Sequence, residues 1–120
     1  MRIKTSKNTL DQLAETTKNL KFSSNAETLK LAISFAMNKY NAQQLENVEF
    51  DQQGFEIDTH ILFGEDLDYY YQVIKFYFNA DEIKHEHICV LIEAGFTELL
   101  MVLKINKYDI AKVVNYILEV

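Results

Sequence analysis

The feature that most constrains the fold is a shortage of residues that interrupt secondary structure. The 120 residues include no proline and only three glycines, where average usage would give roughly six prolines and eight glycines. Both residues are unfavourable inside a helix, and a chain that has so few of them can form long uninterrupted helices. We therefore predict a mainly α-helical, compact multi-helix domain with one or two short strands, spanning residues 1–120 as a single unit.

The first third of the chain has the pattern of a strand followed by two helices. Residues 2–5 alternate with the period of a strand, and Ser6 can cap a helix that carries leucines at helical spacing. Ser24 and Glu27 have the spacing of a capping box, which predicts a second helix through about residue 43. The apolar face of this helix is wide, which indicates burial on two sides, as in a subunit interface.

One further strand and three further helices are predicted in the remainder. Apolar residues at every second position from 55 to 63 indicate a strand that ends at Gly64. Helical spacing then predicts a helix from Asp66, one from Asp81 to Gly95, and a last one from about residue 106. The last helix has an apolar stripe that suggests packing or assembly, formed by Ile110, Val113, Val114 and Ile117.

Charge is unevenly distributed along the chain. The net charge is −6, yet residues 1–40 hold seven basic and three acidic residues, a charge of +4, and residues 41–120 hold five basic and fifteen acidic ones, a charge of −10. Nucleic-acid affinity comes from neutralising phosphates, so an acidic body would repel DNA. We divide the domain into a basic strand-helix-helix part, residues 1–43, and an acidic helical body, residues 44–120, and expect DNA contact on the basic part alone.

The order strand, helix, turn, helix resembles the ribbon-helix-helix DNA-binding unit. In that unit, strands of two chains pair and enter the major groove, and the second helix holds a phosphate at its N-terminus. Arg2 and Lys4 would then face DNA, while Ser23 and Ser24 would help backbone amides to hold the phosphate. The same pattern fits a lysine-protected edge strand beside two core helices. A ribbon-helix-helix repressor or antitoxin, and a protein–protein adaptor without DNA binding, are the alternative functions.

No group of residues has the pattern of a catalytic or metal site. His85, His87 and Cys89 lie at intervals of two, so only His85 and Cys89 share a helix face, and we predict no metal site. The acidic residues at 65–68 are explained by a helix N-terminus, which favours negative charge. The aromatic runs at 69–71 and 76–78 fit core and subunit-interface packing. The residues therefore favour a non-enzyme without a cofactor.

The cysteine content and the hydropathy pattern bear on the compartment. Cys89 is the only cysteine and cannot form an intramolecular disulfide, which suits a reducing cytosol. The chain has no apolar stretch near the ~18 residues that a membrane span requires, and no signal peptide is visible at its start. We therefore expect a cytoplasmic protein.

Three stretches carry a resemblance to a known family: the opening Arg2-Ile3-Lys4-Thr5-Ser6, the helix from Asn25 to Ser34, and the segment from Gly54 to Glu65. Together with Glu93-Ala94-Gly95, they make the chain similar to the DndE proteins of bacterial DNA phosphorothioation (DNA sulfur modification). The likeness covers roughly residues 1–100. The chain has Thr28-Leu29-Lys30 where the family is expected to read Leu-Cys-Arg, so a lysine replaces the guanidinium.

The resemblance implies a DNA-binding accessory subunit of a bacterial defence system that exchanges a phosphate oxygen of DNA for sulfur. Double-stranded DNA, nicked or intact, would be bound by a homo-oligomer, expected to be a tetramer. The other implied partners are a cysteine desulfurase, an ATP-using Fe–S protein and an ATPase. The residues expected to contact DNA are Arg2, Lys4, Lys7, Lys18, Lys21, Ser23, Ser24 and Lys30.

Overall fold

The structure is a computed structural model that describes residues 1–106, 109, 111 and 112. Its strands are β1 (Arg2–Lys4) and β2 (Glu56–Asp58). Its α-helices are α1 (Lys7–Asn19), α2 (Asn25–Lys39), α3 (Thr59–Phe63), α4 (Leu67–Phe78) and α5 (His85–Ile105). Short 3-10 helices cover Ala42–Leu45 and Gly64–Asp66. The prediction of a mainly helical protein with short strands is confirmed, while the predicted stripe of Ile110, Val113, Val114 and Ile117 lies outside the described residues.

The core is organised around α5, the longest helix described, and α2 packs directly against it. At their contact, a Cβ atom added to Gly95 would lie 1.7 Å from the Ala32 carbonyl oxygen, so the two backbones almost touch. A glycine is needed at this position because any side chain would push the helices apart. Buried apolar side chains that the two helices contribute to the main core include Leu29, Ile33, Ala36, Ile88, Ile92 and Phe96.

The wide apolar face of α2 is covered by the chain's own helices on both sides. Leu29 and Ile33 belong to the main core, whereas Phe35 packs in a second cluster with Leu99 and Leu103 of α5. The sequence pattern shows that both sides of the helix are buried but not what buries them, so the pattern alone equally fits a subunit interface.

The two strands form an antiparallel sheet within one chain. Ile3 lies opposite Ile57, and Lys4 lies opposite Glu56. The predicted order of strand, helix and helix is confirmed, but the pairing differs from the ribbon-helix-helix unit, in which the first strand pairs with that of a second chain.

The prediction of one strand over residues 55–63 is wrong, because the strand ends at Asp58 and α3 follows. The Asp58 side chain accepts a hydrogen bond of 2.8 Å from the His60 backbone N–H and so caps that helix. Leu62 is then buried while Ile61 is 70% exposed. Alternation alone could not distinguish a strand from three strand residues followed by a short helix.

Three predicted helix boundaries are also corrected. Helix α2 ends at Lys39 instead of about residue 43, because Tyr40 adopts an extended conformation. Helix α5 begins at His85 instead of Asp81 and continues through Gly95 to Ile105. Gly95 was interpreted as a helix end, but it serves the close contact with α2.

Candidate nucleic-acid interface

The basic residues of β1 are exposed, but acidic residues of β2 lie beside them. The Arg2 guanidinium Nε donates a 2.7 Å hydrogen bond to Glu56 Oε1. This bond raises the pKa of Arg2 and lowers the pKa of Glu56. Lys4 is exposed and lies opposite Glu56 in the sheet. The strand therefore presents two cations whose field is partly offset by one carboxylate.

Lys7 is exposed at the first position of α1, where a carboxylate caps the backbone. Its backbone N–H donates a 2.9 Å hydrogen bond to Asp51 Oδ1. That bond is the largest cause of a lowered pKa for Asp51. We call Arg2, Lys4 and Lys7 the strand cluster, since all three lie at β1 or directly after it.

The strand cluster is fixed to α5 through a buried carboxylate. Glu93 is only 8% exposed, and its Oε1 accepts a 2.7 Å hydrogen bond from the Ser6 backbone N–H. Its Oε2 accepts from the hydroxyls of Ser6 (2.8 Å) and Thr9 (2.9 Å). A Cβ on Gly54 would lie 2.0 Å from the Ser6 carbonyl oxygen, so this loop also packs tightly here. We call Ser6, Thr9, Gly54 and Glu93 the Glu93 junction.

The turn between α1 and α2 carries the next basic residues. Lys18 and Lys21 are both exposed, and Lys21 has a left-handed backbone with φ of 60°. The turn is ordered by Thr17, whose hydroxyl donates to Asn25 Oδ1 (2.8 Å) and lies 2.7 Å from the Thr28 hydroxyl. Buried hydroxyls thus hold the start of α2 against the end of α1.

The predicted capping box of Ser24 and Glu27 is wrong. Ser24 is the N-cap residue of α2, but its side chain makes no capping hydrogen bond. Glu27 instead accepts a hydrogen bond from the Ser23 hydroxyl. The Ser24 side chain is exposed, whereas the Ser23 hydroxyl is engaged by a carboxylate. We call Lys18, Lys21, Ser23 and Ser24 the turn cluster.

The structure therefore places the predicted DNA-contacting residues in two groups and not in one patch. Lys18 lies eleven positions after Lys7 on the helix, which is about 17 Å at 1.5 Å per residue. Asp11 and Glu15 are exposed on α1 between them. Lys30 belongs to neither group, because it lies half-buried further along α2.

The candidate metal ligands Cys89 and His87 lie in different surroundings. Cys89 is buried and its thiol donates to the Lys4 carbonyl oxygen (3.4 Å), and burial raises its pKa. The His87 ring stacks on Phe78 at 4.7 Å, and burial lowers its pKa. Across the part of the chain that the structure describes, no three His, Cys, Asp or Glu side chains are grouped as a metal site requires. In the same residues, no helix combines the length and apolar character of a membrane span.

The aromatic runs divide between core and surface. Tyr70 stacks on buried Phe63 with ring centroids 4.4 Å apart, and Tyr71 meets the same ring edge-on. Tyr69 is 67% exposed and Phe76 is 89% exposed. These two lie seven residues apart on α4 and therefore share one helix face.

Comparison with known proteins identifies the family. A family model described as DNA sulphur modification protein DndE matches residues 2–93. No curated protein and no solved structure matches the chain. The match spans both strands, α1 to α4, and the part of α5 that contains Glu93, so it includes the strand cluster, the Glu93 junction and the turn cluster. The chain belongs to the DndE family of DNA sulfur modification proteins.

Proposed function

We propose that this protein is a DNA-binding accessory subunit of a DNA sulfur modification system, acting on nicked or intact duplex. Membership of the family supports the association with sulfur modification. In this proposal a cysteine desulfurase, an ATP-using Fe–S protein and an ATPase supply the chemistry. The subunit contributes binding and support of their complex.

The observation that carries the proposal is the pair of exposed basic clusters at the two ends of α1. Their separation of about 17 Å equals roughly five base-pair steps of duplex at 3.4 Å each. The strand cluster and the turn cluster can therefore contact phosphates at both ends of a short length of duplex. Residues 41–120 carry a charge of −10 and most of the chain therefore repels DNA, while Asp11 and Glu15 between the clusters and Glu56 beside Arg2 weaken the attraction on this side.

The N-terminus of α2 supplies a phosphate site within the turn cluster. The helix dipole and the free amides of the first turn favour an anion there, and the Ser24 hydroxyl can donate to it. The Glu27 carboxylate, held by Ser23, occupies the same region and competes with a phosphate. Replacing Glu27 by glutamine should therefore raise DNA affinity.

A symmetric homo-oligomer, which we propose to be a tetramer, would multiply the basic ends and strengthen DNA binding. Tyr69 and Phe76 expose aromatic surface on one face of α4, which suits a subunit contact. A Phe76→Ser variant should then have a lower mass in solution than the unmodified protein. An unchanged mass would exclude this face as the contact.

The test of DNA binding is a salt series with nicked and intact duplexes. We expect affinity to fall steeply with salt, and the Lys4→Gln and Lys21→Gln variants to lower the salt slope by about 1 per bound subunit. Glu27→Gln should bind more tightly than the unmodified protein. The matched control is Lys75→Gln on α4. Helix α4 lies near the opposite end of α2 from Ser24, because its Tyr77 hydroxyl donates to the Tyr40 backbone carbonyl oxygen.

Two outcomes would contradict the proposal. One is undetectable or salt-independent binding to both duplexes. The other is an equal loss of affinity for the Lys75 variant and the Lys4 and Lys21 variants, because that would mean that charge acts without regard to its position. A strong preference for one operator sequence over other DNA would favour a repressor instead.

A further inference from the structure

A groove on the acidic body lies outside the two basic clusters. It runs between the segment from residue 42 to 52 and α5, and the end of α4 closes one side. Its volume is about 650 Å³, within the range of roughly 300–1,000 Å³ typical of ligand sites. The apolar side chains that line it are Leu45, Val48, Phe50, Phe78 and Val90.

These apolar side chains are only partly covered by the chain itself. Leu45 is buried, but Val48, Phe50, Phe78 and Val90 are each half-buried beside the groove. Phe50 lies in a segment without regular secondary structure that follows the 3-10 helix Ala42–Leu45. An occupant that inserted one or two apolar side chains would therefore bury surface that the fold leaves open.

The rim of the groove is acidic. Glu46, Glu49 and Glu86 line it and are exposed, and no described lining residue is lysine or arginine. Glu86 has the His85 ring 3.1 Å away, which offsets its charge only when that ring is protonated. His87 forms part of the wall; burial lowers its pKa, and its Nδ1 accepts a 3.0 Å hydrogen bond from the Lys84 backbone N–H.

We propose that this groove binds a short segment of a partner protein in which an apolar side chain is flanked by lysine or arginine. The apolar lining accepts the first and the three carboxylates accept the second, so the charge pattern determines the occupant. A small polyvalent cation would not use the apolar lining, and an acidic segment would be repelled by the rim. This binding does not require contact with DNA, so it goes beyond the function proposed above.

The test uses the full chain and two synthetic capped peptides of equal length, one of alternating leucine and lysine and one of alternating leucine and glutamate. NMR titration should show the lysine peptide shifting the signals of Val90 and His87, with no binding of the glutamate peptide. The double variant Glu46→Lys/Glu49→Lys should weaken the lysine peptide about tenfold or more. The matched control Glu65→Lys/Asp68→Lys changes two exposed acidic residues outside the groove and should stay within about twofold.

Several results would overturn the inference. These are equal binding of the two peptides, equal binding of spermidine and the lysine peptide, signal changes away from the groove, and equal losses for the two double variants. A rise in mass that depends on Phe50 would make a second copy of this chain the occupant and would also overturn it. The Lys4→Gln variant separates the two proposals, because it should lose DNA affinity and keep the peptide.

Discussion

The basic part of the chain is attached to α5 at two places that are built in different ways. Helix α2 meets α5 mainly through apolar side chains and a backbone contact so close that Gly95 has no room for a Cβ atom, with an ion pair between Lys39 and the buried Glu98 at its end. The strand β1 and the start of α1 meet the same helix through the Glu93 junction, where one buried carboxylate accepts three hydrogen bonds.

The difference shows which contacts tolerate change. The α2 contact depends chiefly on shape, so an added methyl group should damage it. The Glu93 junction depends on matching donors to acceptors, so its sensitivity lies in hydrogen bonding. Glu93 is balanced by amide and hydroxyl donors and by the N-terminus of α1, and no lysine or arginine is described among its hydrogen-bond partners.

The largest effect is expected from Gly95→Val. A Cβ atom would lie 1.7 Å from the Ala32 carbonyl oxygen, so the helices must separate and lose packing along their length. We expect the free energy of unfolding to fall by about 4 kcal/mol, measured by urea denaturation. The matched control is Thr97→Val on the exposed side of α5, which should change it by less than about 0.5 kcal/mol. An unchanged free energy of unfolding for Gly95→Val would contradict the close contact, because helix propensity alone favours valine over glycine.

An intermediate effect is expected at Glu93. Alanine would leave the Ser6 N–H and the Ser6 and Thr9 hydroxyls without their acceptor, at a cost of about 3 kcal/mol. Glutamine keeps one carbonyl oxygen that accepts from the Ser6 N–H, and its NH₂ group can donate hydrogen bonds to the hydroxyl oxygens. It should therefore lower the free energy of unfolding by only about 1 kcal/mol. The same denaturation measurement distinguishes them. Equal losses for both variants would show that the negative charge of the carboxylate, which both variants lack, and not the number of hydrogen bonds retained, stabilises this junction.

The smallest effect is expected from acid, and it should be confined to the region of β1 and the start of α1. Asp51, Glu56 and Asp58 have lowered pKa values, caused first by hydrogen bonds from Lys7, Arg2 and His60 respectively. A carboxylate with a lowered folded-state pKa stabilises the fold above its unfolded pKa, near 4, and loses that contribution as pH falls through the folded value.

Hydrogen-exchange protection factors can locate this effect. From pH 7 to pH 3 we expect protection to decrease at Thr5 and Gly54, whose amides pair across β1 and its neighbouring loop, relative to Ile92 and Phe96 in α5. Asp51→Asn should reduce part of this pH dependence. A uniform decrease throughout the molecule would contradict the assignment to the exposed carboxylates.

Much of the fold was predictable because it follows from periodicity. The strand at residues 2–4, the Ser6 cap and the helical stripes of α1, α2 and α4 all appear as local patterns. The strand predicted over residues 55–63 failed because α3 is only five residues long, too short to establish a helical period. The predicted helix end at Gly95 failed for a different reason. Whether a glycine ends a helix or permits a close contact depends on the helix that packs against it, which the local sequence does not show.

The candidate site was predictable in its residues but not in its arrangement. The lysines and serines could be identified by type and charge, yet their division into two clusters depends on where β1 and the α1–α2 turn lie on the folded chain. In the sequence, Glu93 stands out only as part of the stretch Glu93-Ala94-Gly95 that resembles the family. Locally, Glu93 is an acidic residue one helical turn after Cys89. In the structure, both side chains lie on the side of α5 that contacts Lys4 and Ser6.

The Glu93 junction also has a consequence for the order in which the chain is completed during synthesis. Ser6 and Glu93 are separated by 87 positions, so Ser6 waits for the synthesis of most of the described residues before its acceptor exists. Contacts so distant in sequence close slowly, because the loop entropy is lost before the bond is gained. On a nascent chain, β1 could pair with β2 once residues 56–58 are made, but the start of α1 would be fixed to α5 only after Glu93 has followed.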